Sequence, residues 1–443
     1  MDYILQRCQE DINSVGGLCL VERVLERAGF QNRFASRRKA DTFKAMIALL
    51  CQGRNDFSDI ELFRHSAYFK EALGLRRVPS QSTLRQRLDQ STDADAEDMR
   101  ALLLGLLKDV TFTSVRTQHC EYIPVDADVT PFDNSNSKKE GVSRTYKNKD
   151  GFAPLLGYVG LEGYILDCEL RPGSQHSQNG ARAFFRRMIS SLGELGVLDK
   201  CVVRLDSAHD ATDNLHLFSE AGCKFLIKRN LRKESVEHWL DLAKSIGDMD
   251  SPREGKRVWC GTISHIQPPA KDGAKGRAHL PLFVTFRATE RTSKPNGQTM
   301  LFPEYEVETW WTNLPDSATE VIALYNAHGT SEQFHSELKS DMGIERLPSG
   351  KFQTNEKVLL LGAVAFNILR TIGQESLRAP ETLPVKLGVQ RRRVGSVMRD
   401  YIYIACKRVR HAGRVFLKFG RSCPWFQSFC HIYDSLAVPS CPP

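Results

Sequence analysis

The sequence predicts an α/β fold built on a mixed sheet, because strand-like and helix-like segments alternate along its middle third. Short runs rich in β-branched and aromatic residues predict strands at residues 122–130, 154–160, 164–170, 201–207 and 223–228. Stretches with helical spacing separate the later runs, at residues 180–195 and 212–221. Three strands, a helix, a strand, a helix and a strand follow in that order, which is typical of a mixed sheet covered by helices.

Residues 1–115 precede this pattern and are predicted to form a helical N-terminal domain. Apolar residues recur at spacings of three and four in residues 39–50, 60–72 and 97–108. Ser80 begins a further segment with the features of a capped helix, which carries Arg85 and Arg87. We interpret this helix as a candidate DNA-binding element, the second helix of a helix-turn-helix. An ordinary surface helix is the alternative.

Residues 116–230 are predicted to be the first part of a central catalytic domain, and two of their strands carry aspartates. In residues 122–130 the alternation places Asp126 and Asp128 on one face and apolar residues on the other. The apolar run at residues 201–207 includes Asp206 near its end. An aspartate beside a buried strand needs a partner, so Asp206 either binds a metal ion or caps the next helix.

Residues 231–306 interrupt the alternation and are predicted to be a β-rich insertion. They contain turn-rich stretches at residues 267–276 and 293–297, and strand-like pieces at residues 258–265 and 282–288. Residues 307–378 then resume the central domain. They begin with a strand that contains Trp310 and end with an apolar helix.

A segment between that strand and the apolar helix is predicted to be an amphipathic helix. Four polar residues share one of its faces: Tyr325, His328, Glu332 and Lys339. They fall within about 60° of one another at 3.6 residues per turn, and apolar residues lie opposite. Gly329 is a candidate kink within this stretch. A carboxylate flanked by a hydroxyl and cationic groups suggests a helix that acts on a nucleic-acid backbone.

Asp128, Asp206 and Glu332 are the candidate catalytic residues. Breaking a phosphodiester bond requires charge neutralisation at the phosphate and an activated hydroxyl, and two divalent cations about 4 Å apart supply both. Mg²⁺ prefers carboxylates together with water and substrate oxygens, so three converging carboxylates would hold two Mg²⁺ ions, with Mn²⁺ as a substitute. Asp126 shares the strand face of Asp128 and is an alternative to it. Taken singly, each acid also fits a structural role.

The net charge of the chain is +8, from 61 basic and 53 acidic residues, and the C-terminal region 379–443 holds a concentrated excess of positive charge. Between residues 384 and 421, eleven lysines and arginines accompany one acid, Asp400. Arg391, Arg392 and Arg393 form an uninterrupted run within this segment. We predict a phosphate-contacting surface, and a solvated helix face is the alternative.

Composition and length predict a folded cytoplasmic protein of two or three domains. The chain has 443 residues, of which 41% are hydrophobic and 26% charged. The sequence shows no signal peptide and no uninterrupted apolar run of about 18 residues, so no membrane segment is expected. The twelve cysteines include no Cys-x2-Cys pair, so free thiols are expected instead of a zinc or redox motif.

Several motifs of this chain resemble those of bacterial insertion-sequence DDE transposases. The catalytic glutamate of that family lies in the signature Tyr-x2-Arg-x3-Glu-x6-Lys, which is matched here except that His328 replaces the arginine. Asp126, Asp128 and Thr130 match a subgroup whose first motif reads Asp-x-Asp-x-Thr. Further similar stretches occur at residues 170–177, 203–207, 332–348 and 365–369. The resemblance extends over residues 121–370 and therefore over more than half of the chain.

The resemblance implies an RNase H-like catalytic domain with a β-rich insertion between the second aspartate and the glutamate. That position agrees with the interruption found at residues 231–306. The resemblance also implies that Asp128, Asp206 and Glu332 hold two Mg²⁺ ions, and it favours Asp128 over Asp126.

DNA-binding residues around the glutamate are implied as well. Tyr325 and Lys339 would contact phosphates of the transposon ends. His328 is shorter than arginine and only partly protonated near neutral pH, so it would bind these phosphates more weakly unless Lys339 or Arg346 compensates. Trp310 is a candidate for stacking on a flipped base, although one of the two adjacent tryptophans of this strand is expected in the core.

Together these observations predict the transposase of an insertion sequence, acting as a homodimer on double-stranded DNA and associated with the bacterial nucleoid. It would bind terminal inverted repeats, hydrolyse the DNA at each transposon end and join the 3′-OH ends to target DNA. Two alternatives stay open. One is an RNase H-like nuclease that does not join strands, and the other is a DNA-binding protein without catalytic activity.

Overall fold

The computed structural model describes residues 3–7, 9–34, 36–266, 280 and 282–437. Two parts of the predicted organisation lie outside the described residues, namely the turn-rich stretch at residues 267–276 and the last residues of the C-terminal region, 438–443. The protein combines one large mixed sheet with α-helices, which confirms the predicted α/β class.

The secondary structure follows the chain in an irregular alternation of strands and helices. The strands are β1 (Ile12–Asn13), β2 (Val115–Arg116), β3 (Glu121–Val129), β4 (Phe132–Asp133), β5 (Ser143–Arg144), β6 (Asp150–Phe152), β7 (Leu155–Val159), β8 (Tyr164–Glu169), β9 (Cys201–Leu205), β10 (Lys224–Arg229), β11 (Asp248–Arg253), β12 (Lys256–Ile266), β13 (Leu282–Ser293), β14 (Thr299–Thr312), β15 (Cys406–His411) and β16 (Arg414–Phe419). The α-helices are α1 (Leu18–Arg27), α2 (Arg37–Leu50), α3 (Ala67–Ala72), α4 (Gln81–Asp89), α5 (Asp93–Gly105), α6 (Ala181–Glu194), α7 (Thr212–Glu220), α8 (Val236–Ile246), α9 (Ala318–Asn326), α10 (Ser331–Ser336), α11 (Phe352–Leu377), α12 (Val394–Val397) and α13 (Phe426–Ser435).

The large sheet has the strand order β11-β12-β13-β14-β10-β9-β3-β7-β8, with β2 beside β3. β3 lies between β9, which is parallel to it, and β7, which is antiparallel. β10 continues the parallel part beside β9, whereas β14 pairs with β10 in the antiparallel direction. These directions follow from the connections, because α6 and α7 lead into β9 and β10, whereas a short turn joins β7 to β8.

The predicted β-rich insertion extends the central sheet and does not form a separate layer. β13 pairs with β14, and β14 pairs with β10, so the strands of residues 248–312 continue the sheet on one side. The insertion also contains α8, whose Trp239 packs against Phe286 of β13 with ring centroids 6.0 Å apart. Its hydrophobic residues therefore belong to the same core as the central strands.

α11 is the centre of the helical part of the protein. It packs against α1, α2, α5 and α13, and most of its residues are buried. One hydrophobic core joins Met46 and Leu102 of the N-terminal helices with Val364 of α11 and Ile432 of α13. By length and composition α11 also qualifies as a membrane span, but 89% of its apolar window is buried inside the protein, as in a core helix.

Two adjacent parallel strands bring the predicted aspartates to the same edge of the sheet. The register of β3 and β9 aligns Ala127 with Leu205. Asp128 and Asp206 are the next residues of their segments, so both lie where the parallel strands end. The loop that leads from β3 to β7 contains the small sheet β4-β6-β5 and reaches the same edge with Tyr146.

Candidate active site

Asp128 and Asp206 line one cavity of about 580 Å³ at the carboxyl ends of β3 and β9. Tyr146 and His176 line the same cavity from two loops. Burial, and then the neighbouring Asp206, raise the pKa of Asp128 to about 6. Burial also raises the pKa of Asp206. The raised pKa values show that two neighbouring negative charges are unfavourable in this cavity. A bound cation would offset that repulsion.

The donor set of this cavity fits a divalent cation. Asp128 keeps 31% of its side chain exposed, and its Oδ1 accepts a hydrogen bond from the N–H of Val129 at 2.7 Å. Asp206 caps the 3₁₀ turn Ser207–His209, accepting the N–H of Ala208 at 3.1 Å. Among the described residues, neither carboxylate has a lysine or arginine within ion-pairing distance. Carboxylate oxygens without a fixed cation suit Mg²⁺ or Mn²⁺.

Asp126 has its carboxylate occupied by protein groups. Arg204 donates from Nε and Nη2 to the two oxygens at 2.7 Å each, and Nδ1 of His328 lies 2.9 Å from Oδ1. Burial alone would raise the pKa of Asp126, but Arg204 and His328 outweigh it and lower the pKa. Asp126 therefore anchors these two cationic groups, while Asp128 faces the cavity.

His328 lies inside the protein, with 12% of its side chain exposed. Burial would lower its pKa, but the hydrogen bond and charge of Asp126 raise the pKa above the ordinary value. Its ring thus pairs with a carboxylate. This placement differs from the phosphate contact that the resemblance implies for this position.

The predicted amphipathic helix changes its hydrogen-bond pattern at the predicted kink. α9 ends at Asn326, a 3₁₀ turn that includes Gly329 spans Ala327–Thr330, and α10 begins at Ser331. A π-helical turn follows at Glu337–Asp341. The four polar residues therefore lie on four successive helical segments, and the ring centroids of Tyr325 and His328 are 5.9 Å apart.

Glu332 lies in the first turn of α10 with an exposed side chain. It does not belong to the residues that line the cavity of Asp128 and Asp206. Within the part of the chain that the structure describes, no three His, Cys, Asp or Glu side chains form a metal-binding group. The structure thus brings two of the three predicted carboxylates together and leaves Glu332 outside.

His335 is the α10 residue that faces Asp128. Its Nε2 lies 3.8 Å from Oδ2 of Asp128, and its Nδ1 lies 3.3 Å from the hydroxyl of Tyr158. Burial lowers the pKa of His335 to about 3, so the ring is neutral. Glu332 lies one turn earlier and about 60° around the same helix.

Trp310 and Tyr325 form an aromatic contact beneath the site. Their ring centroids lie 5.6 Å apart, and Tyr325 is half-buried. Trp310 is fully buried and offers no ring face for base stacking in this arrangement. Trp311 is buried as well, and its Nε1 donates to Asp210 at 3.0 Å. Both tryptophans lie in the core because β14 has neighbouring strands on both sides and covering elements on both faces.

Lys339 and Arg346 differ in their availability to DNA. Nζ of Lys339 donates to the carbonyl of Pro131 at 2.7 Å and pairs with Glu345 at 3.0 Å. Arg346 is exposed, and its backbone carbonyl accepts a hydrogen bond from Asn55. Arg346 is therefore the more accessible of these two predicted phosphate contacts.

The predicted arginine run of the C-terminal region is largely engaged within the protein. Each member has an acidic partner: Arg391 pairs with Glu337, Arg392 with Asp400 and Arg393 with Asp341. Arg392 is buried. Five of the basic residues that follow lie on the hairpin β15–β16 and not on a helix face, namely Lys407, Arg408, Arg410, Arg414 and Lys418. The three arginines therefore form ion pairs within the protein, and these pairs compete with phosphate contacts to DNA.

α4 carries Arg85 and Arg87, and a long connection separates it from α3. Residues 73–80 connect α3 to α4, which is longer than the usual turn of about three or four residues. Arg85 is exposed, whereas Arg87 donates to the carbonyl of Arg38 and to Oγ1 of Thr42.

Four residues of the site have no assigned role in the sequence-based prediction: Tyr146, His176, Arg204 and His335. Arg204 precedes Asp206 by two residues, as Asp126 precedes Asp128, so both pairs lie on one face of neighbouring strands. His335 follows Glu332 by one helical turn. The spacings of Arg204 and His335 from the predicted carboxylates could therefore have indicated both residues. Tyr146 lies in a loop, where no spacing in the sequence indicates its position.

The comparison with known families identifies the class of protein as a DDE transposase. Residues 8–440 match the family model described as transposase DDE domain group 1, which covers nearly the whole sequence. The chain belongs to that family. No curated protein matches the sequence. Among solved structures, the cryo-EM structure of the piggyBac transposase synaptic complex with hairpin DNA matches 97% of this chain and 79% of its own chain, with 11% identity and a TM-score of 0.40.

Proposed function

We propose that the protein is the transposase of a DNA insertion sequence, which binds terminal inverted repeats, cleaves the transposon ends and joins their 3′-OH groups to target DNA. The observation that carries this proposal is the pair Asp128 and Asp206, which share one cavity in a chain of the DDE transposase family. The strands β8-β7-β3-β9-β10, with these aspartates at the ends of two parallel neighbours, support an RNase H-like catalytic domain.

Asp128 and Asp206 would hold two Mg²⁺ ions, with Mn²⁺ as a substitute, and Glu332 is the proposed third carboxylate. Bound there, the ions would neutralise charge on the scissile phosphate and favour deprotonation of the attacking hydroxyl. Glu332 does not line the cavity, so its participation requires its exposed side chain to turn toward the two aspartates when DNA binds.

The chain would carry out two in-line displacements at phosphorus. In the first, water attacks the phosphate at the transposon end, the bond to the 3′ oxygen breaks, and a 3′-hydroxyl is released. In the second, this hydroxyl attacks a phosphate of the target DNA and displaces the 3′ oxygen there. Both steps have the same geometry at phosphorus, so one carboxylate pair can serve both. Tyr146 and His176 line the cavity and would orient the DNA strand.

Two transposon ends must be cut and joined together, which favours a homodimer assembled on DNA. Arg346 and Lys339 lie beside the catalytic elements and are the proposed contacts to the end phosphates. A protein with this substrate would be associated with the bacterial nucleoid.

Cleavage of DNA that carries the ends of the native element tests this proposal. We expect the full-length protein to nick these ends with Mg²⁺ or Mn²⁺ and to join pre-cleaved ends to a target plasmid. Asp128→Asn and Asp206→Asn should abolish both reactions and leave DNA binding intact. Asp199→Asn is the matched control, because Asp199 is exposed and lies just before the first residue of β9, whereas Asp206 follows its last residue.

The same assay separates the alternatives. Nicked DNA without joined product would identify a nuclease that lacks strand transfer. DNA binding without any cleavage would identify an inactive DNA-binding protein. Cleavage that survives Asp206→Asn would contradict the assignment of the carboxylate pair.

A further inference from the structure

A second cleft, which we name the arginine cleft, lies in the N-terminal helical region. Its volume is about 390 Å³, and it is bounded by α2, α4 and the loop that joins α3 to α4. Five arginines and one acid line it: Arg38, Arg64, Arg76, Arg77, Arg87 and Asp41. It shares no lining residue with the cavity of Asp128 and Asp206.

The positive charge of the arginine cleft is only partly neutralised. Arg76 pairs with Asp41 at 3.1 Å, and Arg64 pairs with Glu61 at 3.3 Å. Arg87 hydrogen-bonds to two neutral oxygens, one of them on the backbone of α2. These contacts leave more guanidinium groups than carboxylates in a small volume.

Arg38 and Arg77 are the most available members. Both side chains are exposed, and neither has an acidic partner within the described ranges. Like charges concentrated in one cleft repel one another, and an anionic ligand offsets this repulsion. The guanidinium fork matches the oxygens of a phosphate group better than an ammonium does.

The walls of the arginine cleft are held in place by the same residues. Nη1 of Arg64 donates to the carbonyl of Val78 at 2.6 Å, which ties the loop before α4 to the preceding segment. Arg87 ties α4 to α2 through Thr42 at 3.1 Å. Val78 and Pro79 are buried below these contacts. The cleft is therefore formed before any ligand binds, which lowers the entropy lost when side chains become ordered on binding.

We propose that the arginine cleft binds phosphate groups of the DNA backbone and thereby positions duplex DNA on the N-terminal helices. This inference rests on the proposed function, because it takes DNA as the substrate. Backbone contacts of this kind fix the register of a protein on the duplex and contribute affinity without sequence preference.

The salt dependence of duplex binding tests the inference. Fluorescence anisotropy with a labelled duplex of arbitrary sequence gives the slope of log Kd against log salt concentration. In Arg38→Gln/Arg77→Gln this slope should decrease by about 2, since each lost phosphate contact removes about 1. Arg38→Lys/Arg77→Lys should retain most of the slope. The control Lys108→Gln/Arg116→Gln removes the same charge from exposed residues outside the cleft and should keep the wild-type slope.

The outcomes distinguish the role of the arginine cleft from the proposed function of the protein. Equal slopes for the cleft variant and the wild type, with duplex binding intact, would overturn the cleft assignment and leave the proposed function standing. A wild-type protein that does not bind duplex DNA would overturn both. Calorimetric titration with inorganic phosphate is the second arm. Tight binding of free phosphate without a change in the duplex slope would identify a free anion as the ligand and contradict the DNA assignment.

Discussion

Arg204 and Asp126 form a buried bidentate ion pair between the neighbouring strands β9 and β3. They are register partners, and both donor–acceptor distances are 2.7 Å. Arg204 also donates to the carbonyl of Leu324 at 2.8 Å, at the end of α9. The pair therefore links the strands that lead to Asp128 and Asp206 with the end of α9.

Removing one partner of this pair should be strongly destabilising. Arg204→Met leaves the carboxylate of Asp126 buried without its main cation, and a loss of about 3–5 kcal/mol in the free energy of unfolding is expected. The double variant Asp126→Asn/Arg204→Met should recover part of this loss because it removes the buried charge as well. Chemical denaturation of the three proteins measures these differences.

The exposed pair Arg116–Glu121 supplies the control for this experiment. Its side chains are 80% and 56% exposed, so Arg116→Met should leave the unfolding midpoint unchanged. If Arg204→Met proved as harmless as Arg116→Met, the linking role of Arg204 would be wrong.

The local pattern predicted the central strands but left Asp126 and Asp128 as alternatives, and only the family resemblance favoured Asp128. Alternation placed Asp126 and Asp128 on one face, but alternation cannot distinguish two residues of the same face. The distinction comes from Arg204, which lies 78 residues further along the chain and meets Asp126 only through the register of β3 and β9. Long-range pairing of this kind is not present in the local pattern.

Two other differences between the predicted and the observed structure also arise from contacts that the local pattern does not contain. The line of polar residues from Tyr325 to Lys339 assumes regular α-helical spacing, whereas a 3₁₀ turn at Ala327–Thr330 and a π-helical turn at Glu337–Asp341 alter that spacing. Counting charges along the arginine run does not show that Glu337 and Asp341, from an earlier segment, pair with Arg391 and Arg393. Local patterns predict faces and charges, whereas tertiary contacts decide which of them are free.

Asp95 should make the stability of the protein depend on acidic pH. It closes the capping box of α5 with Thr92 and pairs with Lys39 at 2.7 Å. Burial would raise its pKa, but the hydrogen bonds from Lys39 and Thr92 outweigh burial and lower the pKa. A lowered pKa in the folded state gives stability that is present above the usual aspartate value of about 3.9 and is lost as the pH falls below it.

The variant Asp95→Asn isolates this contribution. It should unfold more easily at neutral pH by about 1–2 kcal/mol, because an ionic hydrogen bond and the cap are weakened. The difference between wild type and variant should shrink as the pH falls below about 4. Thermal unfolding across this range measures it. A difference that does not vary with pH would contradict the pKa assignment.

Gly329→Ala should stabilise the protein. Its φ lies outside the left-handed region, and a Cβ added there meets open space. The expected gain is about 0.4–1 kcal/mol, from the reduced entropy of the unfolded chain. Gly222→Ala is the matched control, because a Cβ there also meets open space but φ is +70°. That variant should lose about 1–2 kcal/mol. Equal effects in chemical denaturation would show that backbone conformation does not distinguish these positions.

Glu332 offers the sharpest test of the catalytic site, because its exposure separates function from folding. Glu332→Gln alters an exposed side chain in the first turn of α10, so the unfolding midpoint should stay unchanged. If the carboxylate joins Asp128 and Asp206 when DNA binds, end cleavage should fall by at least about 100-fold. Glu237→Gln is the control, an exposed glutamate in the first turn of α8 that should keep full activity. Retained cleavage in Glu332→Gln would remove this residue from the site, and His335, which already faces Asp128, would become the α10 residue to test.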